Sequence, residues 1–425
     1  MLDINAIRQN PEEIKAKLAK KGCNVDFTEF LQLDAERRQL LQEVESLKAL
    51  RNKVSSQIPV LKKNGEDVSA VLEEMKVTSD KIKEMDDQVK VVDQKIFDFV
   101  SYLPNIPADD VIAGGKENNE MLRVWGSKPE FDFPAKDHVE LAKNLGLIDY
   151  ERGAKLSGNG FWMYRGKGAL LEWALLNYFI ETHMKDGYEF ILPPHMLGAR
   201  CGFTAGQFPK FADEVYYVGE RNGDDSDKFL LPTAETALIN MYRDEVLDEA
   251  SLPQKLFAYT PCFRKEAGSY RSDERGMIRG HQFDKVEMFQ YTTPETSDDA
   301  LMELVGKAEA LLQGLGLHYQ LSKLAAEDCS ASMMKTYDIE VWIPSMGIYK
   351  EVSSCSNAGE YQARRGNIRF KRKATGKNEY IHSLNGSGLA TSRVIPALLE
   401  QYQQADGSVI VPEVLRKWMG CDVLR

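Results

Sequence analysis

From residue 30 onward, apolar side chains recur at a nearly unbroken three-four spacing: Phe30, Leu33, Leu40, Val44, Leu47, Val54, Ile58 and Leu61. After Asn64-Gly65 a second run restarts, through Val68, Val71, Met75, Thr78, Ile82, Met85, Val89, Val92, Ile96 and Phe99. A seven-residue repeat held over several heptads, twice, with charge at the other positions, predicts a coiled coil. The short turn between the runs makes it an antiparallel hairpin over about 27–101. Pro59 falls in the last turns of the first helix, where a break costs least. Arg37 and Arg51 sit on the first seam, where a charge costs stability. Whether they serve a partner or only carry their charged heads out to water is open in the pattern. Such a hairpin buries one seam per helix, so it projects from a domain instead of forming one. A plain dimerisation rod or spacer fits the repeat equally well.

Beyond Leu103-Pro104-Asn105-Ile106-Pro107 and Gly114-Gly115 the periodicity changes. These breakers and the polar run that follows read as a linker over 104–120, dividing an N-terminal domain (1–103) from a larger one (121–425). In the larger part, helical spacing recurs in 168–185 and 300–315. Short β-rich runs appear at 188–192, 283–291, 339–343 and 381–384. Strands separated by long, uneven segments predict an α+β domain, an antiparallel sheet with helices packed on it, not regular βαβ units.

Composition narrows the classes. The 425 residues are 43% apolar and 28% charged, enough for a sizeable core, and no stretch is apolar enough for a membrane helix. The first residues, MLDINAIRQNPEEIKAKL, are charged throughout and hold no apolar signal core, so a cytoplasmic location is expected. Six scattered cysteines with no CxxC pair fit a reducing compartment and disfavour a structural zinc site. A net charge of -11 requires any nucleic-acid partner to be met by a local basic patch. The segment Tyr361–Asn378 is the obvious candidate: Arg364, Arg365, Arg369, Lys371, Arg372, Lys373 and Lys377 occur there with no acidic residue. A solvated cationic strand edge is the plainer alternative.

No P-loop, no dinucleotide fingerprint and no nucleophile elbow is present. Gly166-Lys167-Gly168 is too short for a phosphate cradle. His195-Met196-Leu197-Gly198 has a faint class I synthetase look but follows two prolines and lacks a downstream KMSKS partner. A different nucleotide-binding pattern remains. Phe263-Arg264-Lys265-Glu266, a long polar loop and His281-Gln282-Phe283-Asp284-Lys285-Val286-Glu287 read as two strands joined by a charged loop. That arrangement puts Arg264, Glu266, Arg279, Phe283 and Glu287 on one surface. Arginine can fork onto a phosphate, glutamate can accept from an adenine amine and an aromatic ring can stack on a base. Taken alone, a hairpin with exposed salt bridges explains the segment as well. Asn385-Gly386-Ser387-Gly388-Leu389-Ala390-Thr391-Ser392-Arg393 leads into a helical pattern, where glycines allow close approach of a ligand and Arg393 points from the helix start. A plain turn is the alternative there.

Together with Gly187–Pro194, these segments resemble motifs 1 (around 180–197), 2 (261–289) and 3 (383–402) of class II aminoacyl-tRNA synthetases, in that order. Motif 2, the string SSCSNAGEYQARRGNIRF, Thr233-Ala234-Glu235 and the N-terminal helical hairpin are similar to the seryl enzymes of that class. Motif 3 departs from the general class pattern, with Ser392 before Arg393 and Ala390 for a usual glycine, as seryl enzymes commonly do.

The resemblance implies a class II catalytic domain with an N-terminal coiled-coil arm, paired into a homodimer near Pro194. It implies ATP-dependent activation of L-serine and transfer to tRNA(Ser), and also to tRNA(Sec). Arg264 and Arg393 would be catalytic. Lys265, Glu266, Arg279, Phe283, Glu351, Val352, Ser353 and Ser354 would join them around ATP, with Glu351 and Ser354 facing magnesium. Thr233, Ala234 and Glu235 would take the serine ammonium side, and Glu287, Asn385 and Ser387 its hydroxyl. Arg37, Lys48, Arg51, Lys53, Lys62 and Lys63 would touch tRNA. An amino acid:carrier-protein ligase on the same domain lacks the long arm, and an inactive paralogue would not be expected to keep Arg264, Glu266, Glu287, Glu351 and Arg393.

Overall fold

The computed structural model describes residues 1–266 and 276–425. The chain divides into two compact units: Leu2–Ala19 with Cys23–Leu103, and Met1 with Lys20–Gly22 and Pro104–Arg425.

In the first unit the heptads become two long helices, α1 (Thr28–Lys63) and α2 (Ser69–Ser101). At 1.5 Å per residue they run about 54 and 50 Å. Val44, Met75, Ile82, Met85, Val89, Val92 and Ile96 are buried along the seam. Toward the tip Val54, Ile58 and Leu61 are only partly covered, because each helix has just one neighbour there. At the other end Phe30 stacks on Phe99, ring centroids 5.9 Å apart, with Phe27 against both. Asp34 is buried beside them and takes a 2.6 Å hydrogen bond from Arg8, which holds its carboxyl below the usual range against the opposing effect of burial.

In the second unit, eight strands among the described residues form one sheet. The strands are β1 (Glu120–Trp125), β2 (Glu189–Ile191), β3 (Gln254–Phe263), β4 (Gln282–Thr292), β5 (Tyr319–Lys323), β6 (Lys335–Ile343), β7 (Ile348–Asn357) and β8 (His382–Ala390). Their order is β1-β5-β6-β7-β8-β4-β3-β2. Only β2 lies parallel to its neighbour, and the other pairings are antiparallel. The fold is thus the α+β architecture that the uneven strand spacing predicts. Three helices cover one face: α3 (Lys167–Lys185), α4 (Ser297–Leu315) and α5 (Thr391–Gln401). Leu175 and Phe179, Leu304 and Leu311, and Val394 and Leu398 meet Val286, Met288, Ile339 and Val341 of the sheet in one core.

Strand alternation then decides where chemistry can sit. On β4 the even positions Val286 and Met288 face the helices. The odd positions face the other way, where Phe289 and Tyr291 join a separate apolar cluster with Leu238, Ile239 and Phe370. Phe283, Lys285 and Glu287 continue that odd row toward the end of the strand where the charged loop begins. Gly388 lets α3 lie close to β8: a Cβ there would come within 2.3 Å of His183 Nε2. Burial holds His183 down at about 4, so it is a neutral packing residue at pH 7.

Candidate active site

Arg264 follows the last residue of β3, and its backbone N–H donates to the His281 carbonyl at 2.9 Å, closing the strand ends together. Its Nε donates to Pro232 O at 3.3 Å, and its guanidinium lies 5.2 Å from the Phe283 ring centroid. Glu266 takes φ +50°, a left-handed conformation uncommon for a residue other than glycine, and is ion-paired with Arg279. Arg393, near the start of α5, donates to the Glu351 carbonyl at 2.7 Å and stands 3.4 Å from its carboxylate. These residues, with Lys285, Val352, Ser387 and Ser392, line a cleft of about 530 Å³.

A second lobe of about 870 Å³ is lined by Gln207, Pro232, Thr233 and Glu235, and again by Arg264 and Glu266. Thr233 is fixed by two partners from β4: Lys285 Nζ donates to its Oγ1 at 2.9 Å, and the Oγ1 donates to Glu287 Oε2 at 3.4 Å. Lys285 is ion-paired with Glu287, both nearly fully buried. Ala234 is buried just before the short helix Glu235–Leu238. Burial and the nearby Glu287 push the Glu235 carboxyl up to about 7, opposed by Gln362, Lys285 and Asn385. Gln362 Nε2 donates to Glu235 Oε1 at 2.6 Å. Asn385 Oδ1 is buried with no hydrogen-bond partner. Ser387 sits opposite Glu287 in the β4–β8 register.

A third lobe, of about 730 Å³, adjoins the first at Glu351 and is lined by Ser354, Asp338, Glu340 and Ser330. Burial acts to raise the Glu351 carboxyl, but Arg393, Arg264 and Lys285 together hold it below the ordinary range. The arrangement therefore offers three arginines and a lysine in one cleft, a carboxyl-rich second lobe sharing Arg264, and hard oxygen donors at the far side. Among the described residues no three His, Cys, Asp or Glu side chains converge into a metal cage.

Residues 1–107 match the family model of the seryl-tRNA synthetase N-terminal domain, and residues 216–402 that of the tRNA synthetase class II core domain (G, H, P, S and T). "Serine--tRNA ligase 2" of Clostridium acetobutylicum is 63% identical over 425 residues, all of both chains. The chain belongs to the seryl-tRNA synthetase family. A solved seryl-tRNA synthetase from Pyrococcus horikoshii, complexed with ATP, superposes with a TM-score of 0.91 at 34% identity, over 100% of this chain and 99% of that one. A cytoplasmic serine-tRNA ligase from Naegleria fowleri, in complex with AMP, gives a TM-score of 0.85 at 28% identity over the same shares. The expected fold class, with its helical arm, is borne out.

Arg264, Glu266, Arg279, Phe283, Glu351, Val352, Ser387 and Arg393 line one cleft, and Thr233 and Glu235 its neighbour. Ser354 lies in the third lobe. Ser353 is fully buried and its hydroxyl donates to Ser387 O at 2.6 Å, which ties β7 to β8. Lys265 is within 6.0 Å of the Tyr216 ring centroid, and its backbone N–H donates to Glu214 O. The middle of the motif 2 loop, 267–275, lies outside the described residues. The sequence reading missed Lys285, although it shares the odd face of β4 with Phe283 and Glu287. It also missed Gln362 and Asp338, which arrive from other elements and carry no local signal.

The basic segment is corrected for three of its seven cations. Arg365 is buried, donates to Phe203 O and Phe208 O at 3.1 Å, and packs on the Phe203 ring. Arg372 is gripped by Glu249, Glu295 and Glu379, and Arg364 by Glu360. These arginines hold the fold together, whereas Lys371, Lys373 and Lys377 remain exposed. On the arm, Arg37 is ion-paired with Asp93 and Lys48 with Asp86 across the hairpin. Arg51 is half-buried, and Lys53, Lys62 and Lys63 are exposed.

Proposed function

We propose that this chain activates L-serine with ATP to seryl-adenylate and then transfers serine to the 3′ end of tRNA(Ser), with tRNA(Sec) as a second acceptor. The observation that carries the reading is the position of Arg264, whose side chain borders both lobes of the cleft. One guanidinium can there meet the amino-acid carboxylate and the α-phosphate together, and stabilise the charge that builds as a carboxylate oxygen attacks phosphorus and pyrophosphate leaves. In the second step a tRNA hydroxyl attacks the seryl carbonyl and AMP leaves. The chemistry needs no protein nucleophile, and burial keeps the nearby Cys355 thiol protonated, pushing it up to about 12.

Around that centre, Glu266 and Phe283 hold adenine, with Lys265 and the Val352–Ser353 backbone beside it. Arg279 and Arg393 bind the phosphate tail. Thr233, Ala234 and Glu235 take the serine ammonium, and Glu287, Asn385 and Ser387 read the hydroxyl; the unpartnered Asn385 Oδ1 supports this, since a buried acceptor wants a donor. Glu351 and Ser354 would hold magnesium, whose charge offsets that of the phosphates. The fit rests on hard oxygen donors in one lobe, with the buried Asp338 Oδ1 unpartnered among them, and one carboxylate plus nucleotide phosphates is how this ion is usually held.

The arm holds the tRNA, with Arg37, Lys48, Arg51, Lys53, Lys62 and Lys63 as its cations. The chain works as a homodimer, supported by exposed Leu170, Trp173 and Met184 on α3 and by Leu192 just after β2. It works in the cytoplasm; no helix among the described residues is long and apolar enough to cross a membrane. Pyrophosphate exchange run with each of the twenty amino acids tests the activity. Exchange should depend on serine, and exchange driven by another amino acid, or by none, overturns the reading.

A further inference from the structure

We propose that Lys285 is an internal stand-in for the substrate ammonium, and that its displacement couples amino-acid binding to ATP binding. The proposal rests on the serine reading of the second lobe given above.

Lys285 Nζ lies 2.9 Å from Thr233 Oγ1 and is ion-paired with Glu287, whose Oε2 is 3.4 Å from the same Thr233 oxygen. The lysine thus already occupies two of the acceptors that an incoming amino acid's ammonium and hydroxyl would use. Its side chain is 7% exposed and that of Glu287 2%, so water does little to screen a second cation brought to the same two oxygens. A second ammonium there competes with Nζ for the Thr233 oxygen and for the single Glu287 charge.

Lysine is suited to leaving, because its charge sits at the end of a flexible four-carbon stem. The same side chain also lines the first lobe, beside Arg264, Glu351 and Arg393. When a substrate's ammonium takes Thr233 and its hydroxyl takes Glu287, Nζ can turn into that lobe. There it adds a cation beside the triphosphate. Conversely, a nucleotide that draws Nζ toward its phosphates frees the ammonium acceptors. Coupling between two equilibria is reciprocal, so each ligand tightens the other. The backbone here is already irregular. One residue of β4, Val286, is opposed by two of β8, Gly388 and Leu389, and Leu389 sits at φ +122°. Such bulges re-aim side chains beside binding sites.

The test uses the full chain and a magnesium complex of an ATP analogue with a non-hydrolysable β,γ-bridge, titrated calorimetrically alone and with saturating serine, ethanolamine or glycerate. Ethanolamine carries the ammonium and hydroxyl, and glycerate carries the hydroxyl and carboxylate without an ammonium. Serine and ethanolamine should tighten the analogue at least about fivefold, in the range usual for coupled sites, and glycerate should leave it unchanged. In Lys285→Met, serine alone should bind at least as tightly as in the wild type, and its tightening of the analogue should vanish. Glycerate acting as strongly as ethanolamine, no effect of ethanolamine, coupling retained in Lys285→Met, or loss of serine affinity in that variant would each overturn the proposal. If Lys285→Met does not fold, the ethanolamine–glycerate comparison on the wild type decides alone. A wild type without serine-dependent pyrophosphate exchange overturns the underlying reading, whereas exchange without ammonium-specific tightening overturns this proposal only.

Discussion

Lys48 with Asp86 in the arm, and Lys285 with Glu287 in the body, are the same kind of ion pair in two solvents. The arm pair spans 2.9 Å with side chains 42% and 40% exposed, while the body pair is 7% and 2% exposed. In water such a pair is worth about 0–1 kcal/mol, because hydration and side-chain entropy cancel most of the attraction. Buried, the same attraction is large but so is the desolvation that opposes it, and removing one partner strands a charge. The difference separates two uses of charge. The arm's paired cations, Arg37 and Lys48, are cheap to detach from their carboxylates, as the proposed tRNA contact requires. The body's charges sit where water does little to replace a lost partner, so each depends on another group to take its place.

The largest effect should come from Arg264→Ala. It removes the guanidinium shared by both lobes, so serine-dependent pyrophosphate exchange should fall by about 10³-fold or more, with circular dichroism and sedimentation unchanged. Exchange within about tenfold of wild type would contradict its role.

Glu287→Ala tests the buried side of the comparison. It leaves Lys285 without its counter-charge, and denaturant unfolding should show a loss of about 3–5 kcal/mol. The preference for serine over alanine, measured as kcat/KM in activation, should drop by about two orders of magnitude, because a site that pairs the hydroxyl is what rejects its absence. Unchanged discrimination would remove Glu287 from the reading of the hydroxyl.

A smaller, pH-linked effect concerns Glu235, raised to about 7 from the ordinary carboxylate range. A raised carboxyl stabilises the fold in acid, and that contribution is lost as pH rises through about 7. Binding of the serine ammonium runs the opposite way, since it needs the ionised form. Serine affinity should therefore strengthen between about pH 6 and 8, and Glu235→Gln should flatten the profile. The smallest effect is expected from a double-mutant cycle on Lys48 and Asp86, with a coupling energy below about 1 kcal/mol that shrinks with added salt. A larger, salt-insensitive value would erase the contrast between the two regions.

What was legible in the sequence follows the range over which each feature is encoded. The heptads of α1 and α2 are local and period-bound, so the hairpin could be read from apolar positions alone. The motif residues Arg264, Phe283, Glu287 and Arg393 stood out because residue type and spacing carried them. Lys285 lay in the same row, but its partner Thr233 is 52 positions away, and only the fold shows them in contact. The basic segment misled for a similar reason. A linear count of charge sees Arg372 but not Glu249 and Glu295, which reach it from other parts of the chain. Cross-helix pairs such as Arg37 with Asp93 need the hairpin register, which a repeat does not specify by itself.

The division of labour between arm and body is tested most directly by one variant in which a short flexible linker replaces residues 30–99. Phe30 and Phe99 stack at the same end of the hairpin, so the excision closes on itself. Serine-dependent pyrophosphate exchange by this variant should stay near the wild-type rate, while charging of tRNA should be crippled through loss of tRNA affinity. Normal charging, or a monomeric protein that has also lost serine activation, would contradict the account.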